Sequence, residues 1–113
     1  MTVVAARRYR DGRLVDPDLP PDCAPPAKSE FDWVGLVEPT EAELAELQHR
    51  YGLHPLAIED ALSQRNTPKA EAYGSQLFVV ARTAAKGEGD SIAYGQTAIF
   101  LGSDFIVDRK SVV

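Results

Sequence analysis

The sequence has little cysteine, no long apolar run and no excess of basic residues. Cys23 is its only cysteine, which excludes an internal disulfide and a cysteine-rich zinc site and favours a reducing compartment. The longest apolar runs, Leu77–Ala81 and Ala98–Leu101, are far shorter than the roughly 20 residues of a membrane-spanning helix. The net charge of -5 disfavours nucleic-acid binding, which requires clustered Lys and Arg, and favours a surface that attracts cations.

The length of 113 residues predicts a single domain, spanning residues 1–113, with one modest core. Val3–Tyr9 and Leu14–Val15 flank an Asp-Gly pair, which is the usual composition of a tight hairpin turn. Five prolines follow between Pro17 and Pro26, too many for a helix or a central strand. We therefore expect residues 16–30 to form an extended, proline-rich connector over the surface.

A first helix is predicted from Glu41 to about Tyr51. Thr40 and Glu43 have the spacing of a capping box, in which each side chain accepts a bond from the other residue's backbone N–H. Gly52 is expected to end the helix in the left-handed conformation. The apolar residues at helical spacing, which predict the buried face, are Leu44, Leu47 and Tyr51.

A second helix is predicted to begin at Pro55, because proline suits the first helical position. Pro55, Ile58 and Leu62 share one face, whereas Glu59 and Asp60 lie largely off it. His54 is expected to cap or orient this helix, and His49 to face solvent. The spacing of the two histidines does not match a zinc-binding pair on one helix. Gln64–Lys69 is predicted to be a polar turn.

The remaining apolar segments predict strands on both sides of the helices. Gln76–Thr83 is apolar on both faces, as expected for a central strand. The aromatic residues Trp33, Phe78 and Phe100 are expected in the core. The predicted strands are Phe31–Val37, Gln76–Thr83, Ser91–Leu101 and Phe105–Asp108. This order predicts an α/β (α+β) fold, with two consecutive short helices packed on a mixed, largely antiparallel sheet.

Several strings of the sequence carry a family resemblance by their order and spacing. They are Trp33–Leu36 with Glu38–Thr40, Tyr51–Leu62, Gln64-Arg65 with Pro68-Lys69, Leu77–Thr83, and Ile99–Gly102 with Phe105–Val107. Together they resemble the N-terminal cytosolic domain of the CorA family of magnesium and divalent-cation transporters. The sequence departs from the family pattern at the inserted Asn66-Thr67 and after Asp108, where the family has an Arg-His-Gly step. It contains no stalk helix, no membrane helices and no Gly-Met-Asn motif.

The resemblance implies the regulatory, metal-sensing domain of a channel for Mg²⁺ or Co²⁺, and no enzyme. It implies Asp60 as the principal metal ligand with Glu59 beside it, and Mg²⁺ as the regulatory ion, with Co²⁺ or Zn²⁺ as alternatives. It also implies a homo-oligomer, a pentamer in the full-length family context, on the cytoplasmic side of the inner (plasma) membrane. Divalent cations are the expected partners and nucleic acid is not; contact with the membrane would come only through a C-terminal region that this sequence lacks.

Glu59 and Asp60 are not expected to bind tightly without help. Neighbouring helix residues diverge by about 100°, so the two carboxylates cannot readily close on one ion. In the family, the second carboxylate comes from the stalk of an adjacent subunit, so we expect weak or no Mg²⁺ binding by this chain alone. The alternative interpretation is that both residues form the solvated face of an amphipathic helix.

Other functions remain open at this point. One is a stand-alone binding or scaffold module that has the fold but no transport, and another is the equivalent domain of a zinc transporter. A metal-assisted hydrolase using Glu59 and Asp60 is the least favoured, because the sequence has no convergent base or nucleophile. Arg65 and Lys69 are expected either to decorate a turn or to pair with acidic groups across a subunit boundary.

Overall fold

The fold, taken from a computed structural model, is described for residues 3–20, 23–63 and 67–112. Within these ranges it consists of one sheet and two helices. In chain order the elements are β1 (Val3–Arg10), β2 (Arg13–Asp16), β3 (Glu30–Val37), α1 (Glu41–Tyr51), α2 (Pro55–Leu62), β4 (Lys69–Tyr73), β5 (Gln76–Lys86), β6 (Ile92–Leu101) and β7 (Phe105–Val112). None of the helices in these ranges is long and apolar enough to cross a membrane.

The strands form a mixed sheet in the order β2-β1-β3-β7-β6-β5-β4. Neighbouring strands are antiparallel except β3 and β7, which run parallel. The two helices lie between β3 and β4 in the chain, and their buried residues join one core with residues of the sheet. The predicted α/β architecture, with two consecutive helices on a largely antiparallel sheet, is therefore confirmed.

The first hairpin is explained by its turn residues, and the connector by a contact with the sheet. Asp11 and Gly12 both have positive φ, 51° and 79°, which is the geometry of a tight hairpin turn with the sheet's own twist. The connector between β2 and β3 has no regular structure in its described residues. Leu19 is buried, and its N–H donates to the Ala6 carbonyl at 2.8 Å. The connector is therefore attached to the sheet at this residue, and is more than a surface cover.

Helix α1 forms as its sequence predicts. Glu43 donates its N–H to Thr40 Oγ1 at 3.2 Å, and Thr40 donates its N–H to Glu43 Oε1 at 3.0 Å. Gly52 adopts a φ of 66°, and the N–H groups of Gly52 and Leu53 both donate to the Gln48 carbonyl. The predicted buried stripe is confirmed, because Leu44, Leu47 and Tyr51 are all in the core.

Helix α2 confirms the predicted apolar face only in part, because Ile58 and Leu62 pack against the core but are not its most buried residues. Pro55 is exposed, and Ile58 is only partly buried. Ala57 and Ala61 are the residues that α2 buries completely, because these small side chains face the core. The predicted cap is confirmed: His54 Nδ1 accepts the Leu56 N–H at 3.1 Å.

Two strand predictions were wrong. Lys69, assigned to a polar turn, begins the edge strand β4, whereas residues 64–66 of that turn lie outside the described residues. Strand β5 pairs with a strand on each side, β4 and β6, but the prediction that it is buried on both faces was wrong, because it buries only Phe78 and Val80. The physical reason is that the helices cover one face of the sheet, so Leu77 and the other side chains of the opposite face are not buried by them.

The aromatic residues divide between the two faces. Phe78 and Phe100 pack together in the core with their ring centroids 5.1 Å apart, as predicted. Trp33 is only partly buried, and the prediction that it is a core residue was wrong. Alternation along β3 places Asp32 on the core face and Trp33 on the other, where its indole N–H donates to Asp108 Oδ2 at 2.8 Å.

Candidate functional site

Asp60, the principal ligand implied by the sequence, lies in the last turn of α2 beside the edge strand β4. Its side chain is 31% exposed, and its Oδ2 lies 2.6 Å from Lys69 Nζ. Lys69 is the first residue of β4, so this ion pair joins the end of the helix to the edge of the sheet. Asp60 is therefore accessible to solvent and held by a cation of the same chain.

Two further side chains of β4 complete this polar cluster. Lys69 Nζ also lies 3.2 Å from Glu71 Oε1. Tyr73 donates its hydroxyl to Glu71 Oε2 at 2.6 Å and lies 3.5 Å from Asp60 Oδ2. The His54 ring stacks on Tyr73 with centroids 4.6 Å apart. We call Asp60, Lys69, Glu71 and Tyr73 the Asp60 cluster.

The charges of the Asp60 cluster stabilise one another. The hydrogen bond to Asp60, followed by that to Glu71, raises the pKa of Lys69. The hydrogen bond from Tyr73, followed by that from Lys69, lowers the pKa of Glu71. The same bond to Glu71 raises the pKa of Tyr73 to about 12. At neutral pH the cluster therefore contains a charged ammonium, an ionised Glu71 and a neutral phenol.

The donor set of the Asp60 cluster is chemically suited to a hard divalent cation. Mg²⁺ takes oxygen ligands and keeps several waters, so one or two carboxylates are sufficient for binding. Asp60 and Glu71 both direct an oxygen at one point, but the Lys69 ammonium lies at that point. Glu59 is exposed on the same helix. Within the described ranges, no three His, Cys, Asp or Glu side chains converge on a common centre.

The sequence did not indicate Glu71 and Tyr73 as members of the site. The available signal was the alternation of Lys69, Glu71 and Tyr73 with two alanines, which places all three side chains on one face of a strand. This segment has no β-branched residue, so its composition did not favour a strand.

A second carboxylate, Asp32 on β3, is buried completely. Arg8 holds it with two hydrogen bonds, Nε to Oδ1 at 2.7 Å and Nη2 to Oδ2 at 2.9 Å, and Tyr51 donates its hydroxyl to Oδ2 at 2.9 Å. Arg8 also donates to the Ala24 carbonyl of the connector at 2.6 Å. We call Arg8, Asp32 and Tyr51 the Asp32 cluster. It joins β1, β3, α1 and the connector.

The pKa values of the Asp32 cluster follow from its burial and pairing. The hydrogen bond to Asp32 holds the pKa of Arg8 above its usual value. Burial, together with the bond to Asp32, raises the pKa of Tyr51. Both donors therefore keep their protons, and the buried carboxylate is matched by a charge and a hydroxyl. This arrangement is structural, because solvent cannot reach Asp32.

A hollow of about 540 Å³ lies between β1, the connector and α1. Its apolar wall includes Val3, Leu19 and Leu47, and Glu46 and Arg50 lie at its charged side. Among the described residues that line this hollow there is no Ser, Thr, Cys, Lys or His, so the candidate site remains the Asp60 cluster.

The fold of this chain is similar to the folds of two solved structures. The structure superposes on that of the full-length CmaX protein with a TM-score of 0.73 and 15% sequence identity, covering 97% of this chain and 35% of that one. It superposes on the soluble domain of CorA from Methanocaldococcus jannaschii with a TM-score of 0.69 and 16% identity, covering 96% and 41% of the two chains. At these identities the likeness shows the fold alone.

Sequence comparison gives the family. The chain is 32% identical over 75 residues to the "Putative metal ion transporter YfjQ" of Bacillus subtilis (strain 168), covering 66% of this chain and 23% of that protein. The chain thus spans about a quarter of this relative's length. The family described as CorA-like Mg2+ transporter protein matches residues 28–108, which is more than half of the chain and includes both helices and the Asp60 cluster. The chain therefore belongs to the family of CorA-like Mg²⁺ transporter proteins.

Proposed function

We propose that this chain is the cytosolic regulatory domain of a CorA-like channel for Mg²⁺ or Co²⁺, and that it contributes to gating by divalent metal. The observation that carries the proposal is the position of Asp60. Its carboxylate is 31% exposed at the end of α2, which supports the metal-ligand role that the family resemblance implies for Asp60. The match of the family to residues 28–108 supports the assignment to a transporter.

The proposed mechanism uses a metal ion between adjacent subunits of a homo-oligomer on the cytoplasmic side of the membrane. An ion shared by Asp60 and a carboxylate of a neighbouring subunit would offset their mutual repulsion and hold the closed arrangement. Loss of the ion would leave like charges facing each other, loosen the interface and favour opening. The Asp60 cluster has the exposure and the oxygen donors that such a shared ion requires.

The test is the variant Asp60→Ala in a full-length transporter that carries this domain. Closure of the channel by Mg²⁺ is expected to require a higher concentration of the ion than in the parent protein, measured as ion flux across proteoliposomes. The matched control is Asp90→Ala, which removes an exposed carboxylate from the loop between β5 and β6. Normal closure by Mg²⁺ in Asp60→Ala would show that Asp60 is not a sensor.

The gene itself provides a simpler test. The coding sequence downstream of Val113 is expected to continue into a long amphipathic helix, two apolar spans and a Gly-Met-Asn motif. A stop codon directly after Val113 would instead exclude transport by this protein. The scaffold interpretation would then replace the proposed one.

A further inference from the structure

The ammonium of Lys69 lies where a cation bound by the Asp60 cluster would have to lie. It is 2.6 Å from Asp60 Oδ2 and 3.2 Å from Glu71 Oε1, so it bridges carboxylates from two different elements. The Lys69 side chain is 25% exposed and that of Glu71 is 45% exposed. A hydrated ion can therefore reach both carboxylates from solvent, but it meets a positive charge at the point where it would bind.

Glu71 does not depend on Lys69 for its position. The Tyr73 hydroxyl donates to Glu71 Oε2 at 2.6 Å, and the Tyr73 ring is in turn stacked on His54, the cap of α2. Asp60 is carried by the helix that His54 caps. Removal of the Lys69 ammonium would consequently leave the two carboxylates on elements that remain in place, with their mutual repulsion no longer offset by this cation.

The competition between Lys69 and a metal ion follows from charge and tethering. A divalent ion interacts with each carboxylate about twice as strongly as an ammonium at the same distance. Lys69, however, is attached to β4, so its local concentration is fixed and independent of the solution. Mg²⁺ also gives up its water reluctantly, which reduces its advantage. The ion must therefore reach a threshold concentration before it displaces the ammonium.

We propose that Lys69 is a tethered counter-cation that competes with divalent metal for Asp60 and Glu71, and thereby sets the concentration at which the site fills. The proposal rests on the proposed function, because it assumes that Asp60 is a metal ligand. It adds Glu71 as a second ligand supplied by the same subunit. Lys69 thus sets the affinity of the site without positioning its ligands, and its ion pair with Asp60 lies within one chain.

The test uses Mn²⁺ as a paramagnetic probe and the 113-residue chain labelled with ¹⁵N. Broadening of the backbone amide signals around Asp60 and Glu71 is followed during a Mn²⁺ titration of the parent chain and of Lys69→Met. Removal of the competing charge is expected to tighten Mn²⁺ binding about tenfold. Lys69→Gln, which keeps a polar side chain at this edge-strand position, is expected to give the same direction of change.

The matched control is Lys110→Met. Lys110 is also a lysine beside a carboxylate, 3.9 Å from Asp108, but its side chain is 62% exposed and it lies on β7. Lys110→Met changes the net charge of the chain by the same amount as Lys69→Met. Because salt screens such a general effect of charge, this control is expected to alter Mn²⁺ broadening at Asp60 less than about twofold. Mn²⁺ binding in both Lys69 variants no tighter than in Lys110→Met would overturn the proposal.

Two double variants separate this inference from the proposed function. Glu71→Gln in the Lys69→Met background is expected to reverse the gain in affinity, and an unchanged affinity would exclude Glu71 as a ligand. Asp60→Asn in the same background is expected to abolish the broadening. If broadening persists in that second variant, Asp60 is not a ligand, and the proposed function fails together with the inference. If broadening depends on Asp60 but not on Lys69, only the inference fails.

Discussion

Asp32 and Asp60 are both carboxylates paired with a cation of the same chain, but they differ in their surroundings. Asp32 has no exposed surface and receives two bonds from Arg8 and one from Tyr51. Asp60 is 31% exposed and shares Lys69 with Glu71. The guanidinium of Arg8 matches its carboxylate in a planar, bidentate geometry, whereas the ammonium of Lys69 is a point charge on a flexible stem.

The difference determines what each pair can do. Breaking a buried pair leaves a charge that water cannot solvate, so the Asp32 cluster holds strands, helix and connector in one arrangement. Breaking an exposed pair costs little, because water and ions replace the lost partner. Loss of the Lys69 ion pair is therefore not expected to unfold the domain, and the proposed exchange of cations at the Asp60 cluster depends on this.

The largest effect is expected from Asp32→Asn. The amide cannot neutralise Arg8, whose side chain is only 13% exposed, so the free energy of unfolding should fall by about 3–5 kcal/mol. Urea denaturation followed by circular dichroism measures this loss. Asp90→Asn, in an exposed loop, is the control and should change stability by less than about 0.5 kcal/mol. A loss no greater than that of the control would contradict the structural role of the Asp32 cluster.

A smaller effect is expected from Tyr51→Phe. The variant removes the hydroxyl bond to Asp32 but keeps the ring that stacks on Phe105 at 5.2 Å. Loss of one hydrogen bond to a buried charge should reduce the free energy of unfolding by about 2 kcal/mol. The effect should be much smaller in an Asp32→Asn background, since the two residues share one interaction. Fully additive losses would show that the hydroxyl acts elsewhere.

Arg109 on β7 is a buried cation that differs from Arg8, because part of its guanidinium has no hydrogen-bond partner in the described structure. It is 4% exposed, and its Nε has no hydrogen-bond partner in the described structure. Burial lowers the pKa of Arg109, and Glu38 opposes this effect through its charge. Arg109→Met keeps the apolar stem and should raise the free energy of unfolding by about 1 kcal/mol in urea denaturation. Destabilisation of that size, absent from the exposed control Arg82→Met, would contradict this.

Asp60→Asn should have little effect on stability. The ion pair with Lys69 is partly exposed, so its loss should reduce the free energy of unfolding by less than about 1 kcal/mol, and less still at high salt. The same urea denaturation, run at low and high salt, measures this difference. A loss as large as that of Asp32→Asn would show that Asp60 is structural and would weaken its assignment as an exchangeable ligand.

The smallest effect concerns the pH dependence contributed by Glu71. Tyr73 and Lys69 lower the pKa of Glu71 in the folded chain. At a pH between this lowered pKa and the pKa of Glu71 in the unfolded chain, the unfolded state therefore binds more protons than the folded state. The resulting stabilisation is present above the unfolded pKa of about 4.3 and is lost as the pH falls through the lower folded pKa. Glu71→Gln should therefore make the denaturation midpoint less dependent on pH in this acidic window. An unchanged profile would contradict the predicted bond network.

Several elements could be predicted because their causes lie within a few residues. The capping box of Thr40 and Glu43 and the left-handed Gly52 are contacts between neighbours in sequence, so α1 was predicted with its observed bounds. Edge strand β4 was not predicted, because alternating alanine and charged residues give little β signal and its formation depends on pairing with β5. The apolar face of α2 was predicted only in part: Ile58 and Leu62 pack against the core, but Ala57 and Ala61 are more deeply buried, since eight residues leave the periodicity poorly defined.

The amino-acid sequence alone was sufficient to predict α1, the start of α2, every strand except β4 and the resemblance that indicated Asp60. The cations that pair with Asp32 and Asp60 are known from the folded structure alone, because Arg8 and Lys69 lie on different elements from their carboxylates. Arg8 is 24 residues from Asp32 in the chain, and Glu71 joins Asp60 only where β4 meets the end of α2. The spacing along the chain does not encode such contacts. They depend on strand register and on the face that each side chain takes, which are set when the whole sheet assembles.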